Sequence, residues 1–109
     1  MVVELDALSG RPNPRWQLTE SEAAELAQLI AGLEPAQGTR SPAPPGLGYR
    51  GFRLKGSGGE SHWVYRDLVQ SPDLVLVDPY RRVERFLRDH MPEALNDFRP
   101  WLEAETSPE

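Results

Sequence analysis

Phe52-Arg53-Leu54-Lys55-Gly56-Ser57-Gly58-Gly59-Glu60-Ser61-His62-Trp63-Val64-Tyr65-Arg66-Asp67-Leu68-Val69 is the stretch whose reading decides the fold. Phe52 and Leu54 alternate with Arg53 and Lys55, the period-two pattern of a half-buried strand. The glycine- and serine-rich segment 56–61 then turns the chain into an aromatic and β-branched run, His62 to Val69, that suits a second strand. The spacing predicts a hairpin with a flexible tip. Ser71-Pro72-Asp73 is a turn signal, and Leu74-Val75-Leu76-Val77 beyond it is apolar on both faces, so a three-stranded antiparallel meander is expected. Four consecutive apolar residues put two on each face, while amphipathic helices cover only one. The other face then needs a cover, either the 34–48 loop and the C-terminal segment with Trp101 or a second copy of the chain. Self-association as a symmetric homodimer is the expectation.

Working outward, Val3, Leu5 and Ala7 alternate with Glu4 and Asp6 and predict a strand with its acidic side in water. Thr19-Glu20-Ser21-Glu22 is a capping box, in which the threonine oxygen takes the Glu22 amide and the glutamate returns to the Thr19 amide. A helix is expected from there, with Leu26, Leu29, Ile30 and Leu33 on one stripe and Pro35 as its end. Residues 34–48 read as a long Pro/Gly-rich loop, and the PxxP spacing at Pro42-Ala43-Pro44-Pro45 reads as a polyproline spacer. Asp78-Pro79 marks a helix N-cap and first position, with Val83, Phe86, Leu87 and Met91 on the core and Pro92 as the stop. A short or broken third helix follows around Pro100, and residues 103–109 should fray. The fold class is α+β over a single domain, residues 1–109, in the order β-α-β-β-β-α(-α), with a small, mostly antiparallel sheet packed against two helices.

The most constrained segment is Ser9-Gly10-Arg11-Pro12-Asn13-Pro14. Each proline fixes its own φ and holds the residue before it extended, so Arg11 and Asn13 sit on a stiff mount. The loop should be as ordered as the strands, and Trp16, alternating with Leu18, should be mostly buried. Arg11 either pairs with Glu4 or Asp6 as a structural corner or receives a carboxylate or phosphate through its guanidinium fork. The candidate ligand-binding set is Arg11, Asn13, Trp16, Tyr49 and Arg50. A further candidate surface is the sheet face carrying Arg53, Lys55, Trp63 and Tyr65, whose composition suits protein interfaces unless Trp63 and Tyr65 cover the first helix.

Glu4-Leu5-Asp6 through Ser9-Gly10-Arg11-Pro12-Asn13-Pro14, then Trp16 and Leu18, resembles a group of small uncharacterised bacterial proteins with an N-terminal SGRPNP-type motif. Gly48-Tyr49-Arg50-Gly51-Phe52 resembles a second segment shared by that group. The resemblance implies common descent and carries no catalytic residues with it.

Composition removes several function classes. Without cysteine there are no disulfides, thiol chemistry or thiolate metal sites. A net charge of −5 disfavours nucleic-acid binding, which needs phosphate neutralisation. Arg50-Gly51-Phe52-Arg53-Leu54 departs from the RNA-recognition signature at Arg53 and Leu54. No apolar run is long enough to span a bilayer and Met1 to Asp6 does not read as a signal peptide, so the expectation is a soluble, cytoplasmic protein without a membrane partner. Lys55-Gly56-Ser57-Gly58-Gly59 lacks the order of a phosphate loop, and His62 and His90 lack metal-ligand spacing, so no cofactor or metal is expected. Arg81, Arg82, Arg85 and Arg88 read as a solvated helix face, with Glu84 pairing to Arg88. The function expected is a non-enzymatic binding or accessory protein for a peptide, a protein surface or a small anion. The alternatives are a small enzyme with a carboxylate or histidine in the same cleft and an immunity or antitoxin-like protein.

Overall fold

The computed structural model describes residues 1–6, 13–37, 49–56 and 58–106. Arg11, most of the SGRPNP loop and residues 38–48 lie outside the described residues. Period-two alternation builds the sheet, as the pattern requires. In β1 (Val2–Leu5), Val3 and Leu5 are buried while Val2 and Glu4 face away. Antiparallel pairing carries that division across the neighbours: Val3 faces Leu54 and Trp16, and Leu5 faces Phe52, in β4 (Phe52–Lys55) and β2 (Arg15–Gln17). β5 (Ser61–Tyr65) adds Val64 opposite Phe52, and β6 (Leu68–Gln70) adds Val69 opposite Val64. With β7 (Val75–Val77) and β3 (Glu34–Pro35) this is one seven-stranded antiparallel sheet, ordered β2-β1-β4-β5-β6-β7-β3. The fold is α+β.

Helix α1 (Glu20–Ala31) begins at the predicted capping box: Glu22 N donates to Thr19 Oγ1 at 3.1 Å and Thr19 N donates to Glu22 Oε1 at 2.9 Å. Leu26 of α1, Val83 and Leu87 of α2 (Arg82–Asp89) and Leu102 of α3 (Arg99–Thr106) all enter one buried cluster with Val3, Leu5, Phe52, Leu54 and Val64. The described helices therefore cover one face of the sheet, and the face bearing Glu4, Arg53 and Trp63 is the opposite one. Among the described residues, no helix is long and apolar enough to cross a membrane.

Several expectations change. The run His62 to Val69 is two strands, because the chain reverses at Arg66 and Asp67 and sets Tyr65 opposite Leu68. The meander from β4 to β7 thus has four strands, not three. The extended segment at Trp16 is itself a strand, β2, and Glu34 and Pro35, which open the expected loop, pair with Val77 and Leu76. Helix α1 ends before Pro35, at the Gly32 cap, and Leu33 packs on the core from outside it. Asp78 is not the N-cap of α2. A turn intervenes, Arg81 takes the cap position with φ 53°, and Asp78 Oδ2 accepts from Val83 N at 2.8 Å across the turn. The chain is helical through Thr106, which is buried and donates from Oγ1 to Leu102 O at 2.7 Å, and the rest of the expected tail, residues 107–109, lies outside the described residues. The apolar run at β7 divides: Leu76 packs on the core, Val75 and Val77 are half-buried, and Leu74 is exposed.

One position fixes the junction between the two faces. Asp6 O accepts from Arg50 N at 2.7 Å while Asp6 N donates to Gly51 O at 2.9 Å, so one residue of the β1 side faces two on the β4 side, a β-bulge. Gly51 has φ 93°, and a Cβ there would come within 2.1 Å of Val64 O and 3.2 Å of Trp63 Nε1. Both the dihedral and the close approach demand glycine. Gly51→Ala is expected to lower stability by about 2–5 kcal/mol in urea unfolding, the sum of left-handed strain and overpacking against backbone. A loss below about 0.5 kcal/mol would mean the bulge is not as described.

Candidate functional site

A buried carboxyl group joins the helical layer to the sheet. Glu84 of α2 is 0% exposed. Its Oε2 accepts from the Tyr49 hydroxyl and, at 2.6 Å, from Arg66 N; its Oε1 accepts from Arg81 Nε at 2.6 Å. Two of these donors come from the two non-glycine residues of the described chain with positive φ, Arg66 at 54° and Arg81 at 53°. The left-handed region costs a non-glycine residue about 1–2 kcal/mol, and both arginines bond one carboxylate, Arg66 through its backbone N–H and Arg81 through its side chain. The sequence reading placed Glu84 on a solvated face paired to Arg88. The structure corrects this: Glu84 pairs with Arg81, and Arg88 turns to Asp89 and Thr106. The available signal was spacing, since Glu84 lies three residues before Leu87 and beside Val83, on the buried stripe.

On the opposite sheet face lies a groove of about 510 Å³. Its floor is Glu4, Arg53 and Trp63, with Arg15 at one end and Ser71 and Pro72 of the β6–β7 turn at the other. Each floor residue is fixed. Glu4 accepts from Asn13 Nδ2 on Oε2 at 3.0 Å and from Arg15 Nε on Oε1 at 2.7 Å. The Arg53 guanidinium lies 4.1 Å from the Trp63 ring centroid and reaches Asp6 Oδ2 at 3.3 Å. The Trp63 indole donates from Nε1 to Arg50 O at 2.8 Å, so the Gly51 bulge that turns this carbonyl also orients the ring. Ser71 Oγ donates to Leu74 O at 2.8 Å and holds the turn that forms the end wall. Lys55 is exposed on the rim and makes no ion pair among the described residues.

The candidate residues divide between the two faces. Arg11 lies outside the described residues. Asn13 reaches the groove through Glu4, and Arg50 reaches it through its carbonyl on Trp63, so both position groove residues. Trp16 is 8% exposed and packs edge-on to Phe52 at 6.3 Å, and Tyr49, 3% exposed, packs edge-on to the same ring at 6.2 Å. These two are core residues. Of the surface expected from Arg53, Lys55, Trp63 and Tyr65, the first three line the groove; Tyr65 is buried in the core, its hydroxyl accepting from Arg66 Nε at 2.9 Å. Among the described residues, no three of His, Asp and Glu converge as metal ligands. His62 also lines the groove, with Nδ1 buried and unbonded.

Burial pushes the Tyr49 hydroxyl well above the ordinary tyrosine value of 10.0, and the neighbouring charge of Glu84 and the hydrogen bond to it push the same way. The folded state therefore holds this proton more tightly than the unfolded state. The resulting stabilisation is complete below about pH 10 and declines as pH rises above it. Tyr49→Phe is expected to lower stability at neutral pH by about 1–3 kcal/mol, the worth of a hydrogen bond to a charged group, and to abolish that alkaline decline. Denaturant melts of both chains across the alkaline range, with tyrosinate absorbance followed in parallel, check this. A Tyr49 that ionises near its ordinary value in the folded protein would contradict it.

Comparison with protein-family models, with curated proteins and with solved structures found no match for this chain.

Proposed function

We propose that the protein is a non-catalytic binding or accessory module whose recognition surface is the open sheet face. The observation that carries this reading is the Arg53–Trp63 stack on the groove floor. The ring is held at its edge by Arg50 O, and one face is covered by a guanidinium that is itself tied to Asp6. Tryptophan and arginine are the residue types that dominate binding hot spots, because a rigid aromatic and a fork of donors lose little freedom when a partner arrives. Groove volumes of about 300–1,000 Å³ are those that small molecules and short segments fill. Glu84, by contrast, has both oxygens engaged by donors and no exposure, which suits a structural joint. Self-association remains a proposal with a small surface to act through, namely Leu74 and the outward sides of Val75 and Val77.

A fragment screen followed on the backbone amides and the tryptophan indoles by NMR tests the reading without knowledge of the ligand. Hits are expected to cluster on the Trp63 indole, Arg53, Lys55 and Gln70. Clustering around Tyr49 and Trp16 on the core side, or shifts scattered over the surface, would overturn it.

A further inference from the structure

The groove has a polarity that names its occupant, and the inference rests on the groove being the recognition surface. We infer that it takes an extended acidic peptide segment of a partner protein, lying across the strands from β2 to β6.

Charge comes first. Three cations line the groove, Arg15, Arg53 and Lys55, against one anion, Glu4, in a chain whose net charge is −5. Glu4 is spent on Asn13 and Arg15, one bond on each oxygen. Arg15 uses Nε for Glu4 and is 70% exposed, so its outer fork is presented to solvent. Lys55 adds an ammonium with no ion-pair partner among the described residues. The exposed pairs that hold Arg15 and Arg53 are worth about 0–1 kcal/mol each and leave the outer nitrogens of Arg15 to an incoming carboxylate.

Dimensions come second. Five adjacent strands, β2-β1-β4-β5-β6, carry the lining, and at about 4.8 Å per strand the trough runs roughly 19 Å, the reach of five or six extended residues. A compact anion would engage only one end. Arg15 on β2 and Lys55 on β4 are two strands apart and offset by two residues in register, about 12 Å, which matches carboxylates four residues apart on one face of an extended peptide. Beyond them the surface changes to Trp63 and Pro72, which favour an apolar or proline residue after the second acidic one. A nucleic acid would meet the acidic remainder of the chain, whereas a short peptide meets the groove alone.

The test is fluorescence anisotropy with the full chain and a labelled, end-capped peptide, Glu-Ala-Ala-Ala-Glu-Ala-Pro, whose two glutamates share one face when extended. Binding is expected to weaken about tenfold when both glutamates become glutamine, and about tenfold in the Lys55→Glu chain. Raising ionic strength from about 0.05 M to about 0.3 M should also weaken it several-fold. Lys55 is exposed and makes no ion pair among the described residues, so Lys55→Glu should leave the melting temperature unchanged, and Trp63→Ala serves as a second variant at the apolar end. Equal binding of the glutamine peptide would overturn the acidic specificity. Displacement by glutarate at the same concentration as by peptide would make the groove a small-anion pocket. Tighter binding of a single-stranded oligonucleotide, or concentration-dependent self-association that shifts the same groove resonances, would replace the occupant. No peptide binding while fragments still map to the groove overturns the peptide alone, and fragments that also avoid it overturn the binding reading beneath.

Discussion

The carboxyl group of Glu84 is the joint on which the rest of the structure hangs. It has no exposure, and its three donors come from separate places in the chain: the Tyr49 segment before β4, the β5–β6 turn at Arg66, and the start of α2 at Arg81. Removing one partner of a buried charged pair costs about 3–5 kcal/mol, a large share of the stability of a domain this size. That magnitude is comparable to the combined strain of holding Arg66 and Arg81 left-handed, about 1–2 kcal/mol each, and Glu84 takes the backbone N–H of the first and the side chain of the second.

That joint has a consequence for the other side of the sheet. With α2 drawn to the β5–β6 turn, the described helices gather on the face of Phe52, Val64 and Val69, and no described helix lies on the Trp63 face. The Gly51 bulge couples the faces without mixing them. It turns the Arg50 carbonyl towards Trp63 Nε1, while on the helical side Tyr49 packs edge-on to Phe52. Core packing and the groove therefore use opposite sides of the same two strands, so groove side chains can be altered with little effect on the core.

Elements governed by local chemistry were legible in the sequence. The Thr19 capping box, the alternation of β1 and β4 and the burial of Trp16 each follow from neighbours within a few residues. What was missed depends on partners far along the chain. Arg66 and Asp67 carry neither glycine nor asparagine, and they turn the chain because Glu84, 18 positions away from Arg66, takes the Arg66 amide. Glu34 and Pro35 look like loop residues until β7 pairs with them. Tyr49 and Arg50 are adjacent in the chain and stood in one candidate set, yet the bulge sends the Tyr49 side chain and the Arg50 carbonyl to opposite faces. The groove itself exists only once β2 and β6 share a sheet, so its composition could be anticipated from Arg53, Lys55 and Trp63 but its end walls could not.

Hydrogen exchange at the Arg66 amide tests Glu84 as the joint most directly. Arg66 is an exposed residue in a two-residue turn, where an amide facing water exchanges almost as fast as in an unstructured peptide. Bonded to a fully buried carboxylate, it should instead exchange only through global unfolding, with protection close to that of Val64 and Val69 in the adjoining strands. Exchange within about tenfold of the unstructured rate would show that the turn opens freely of Glu84, and the joint would not exist in solution.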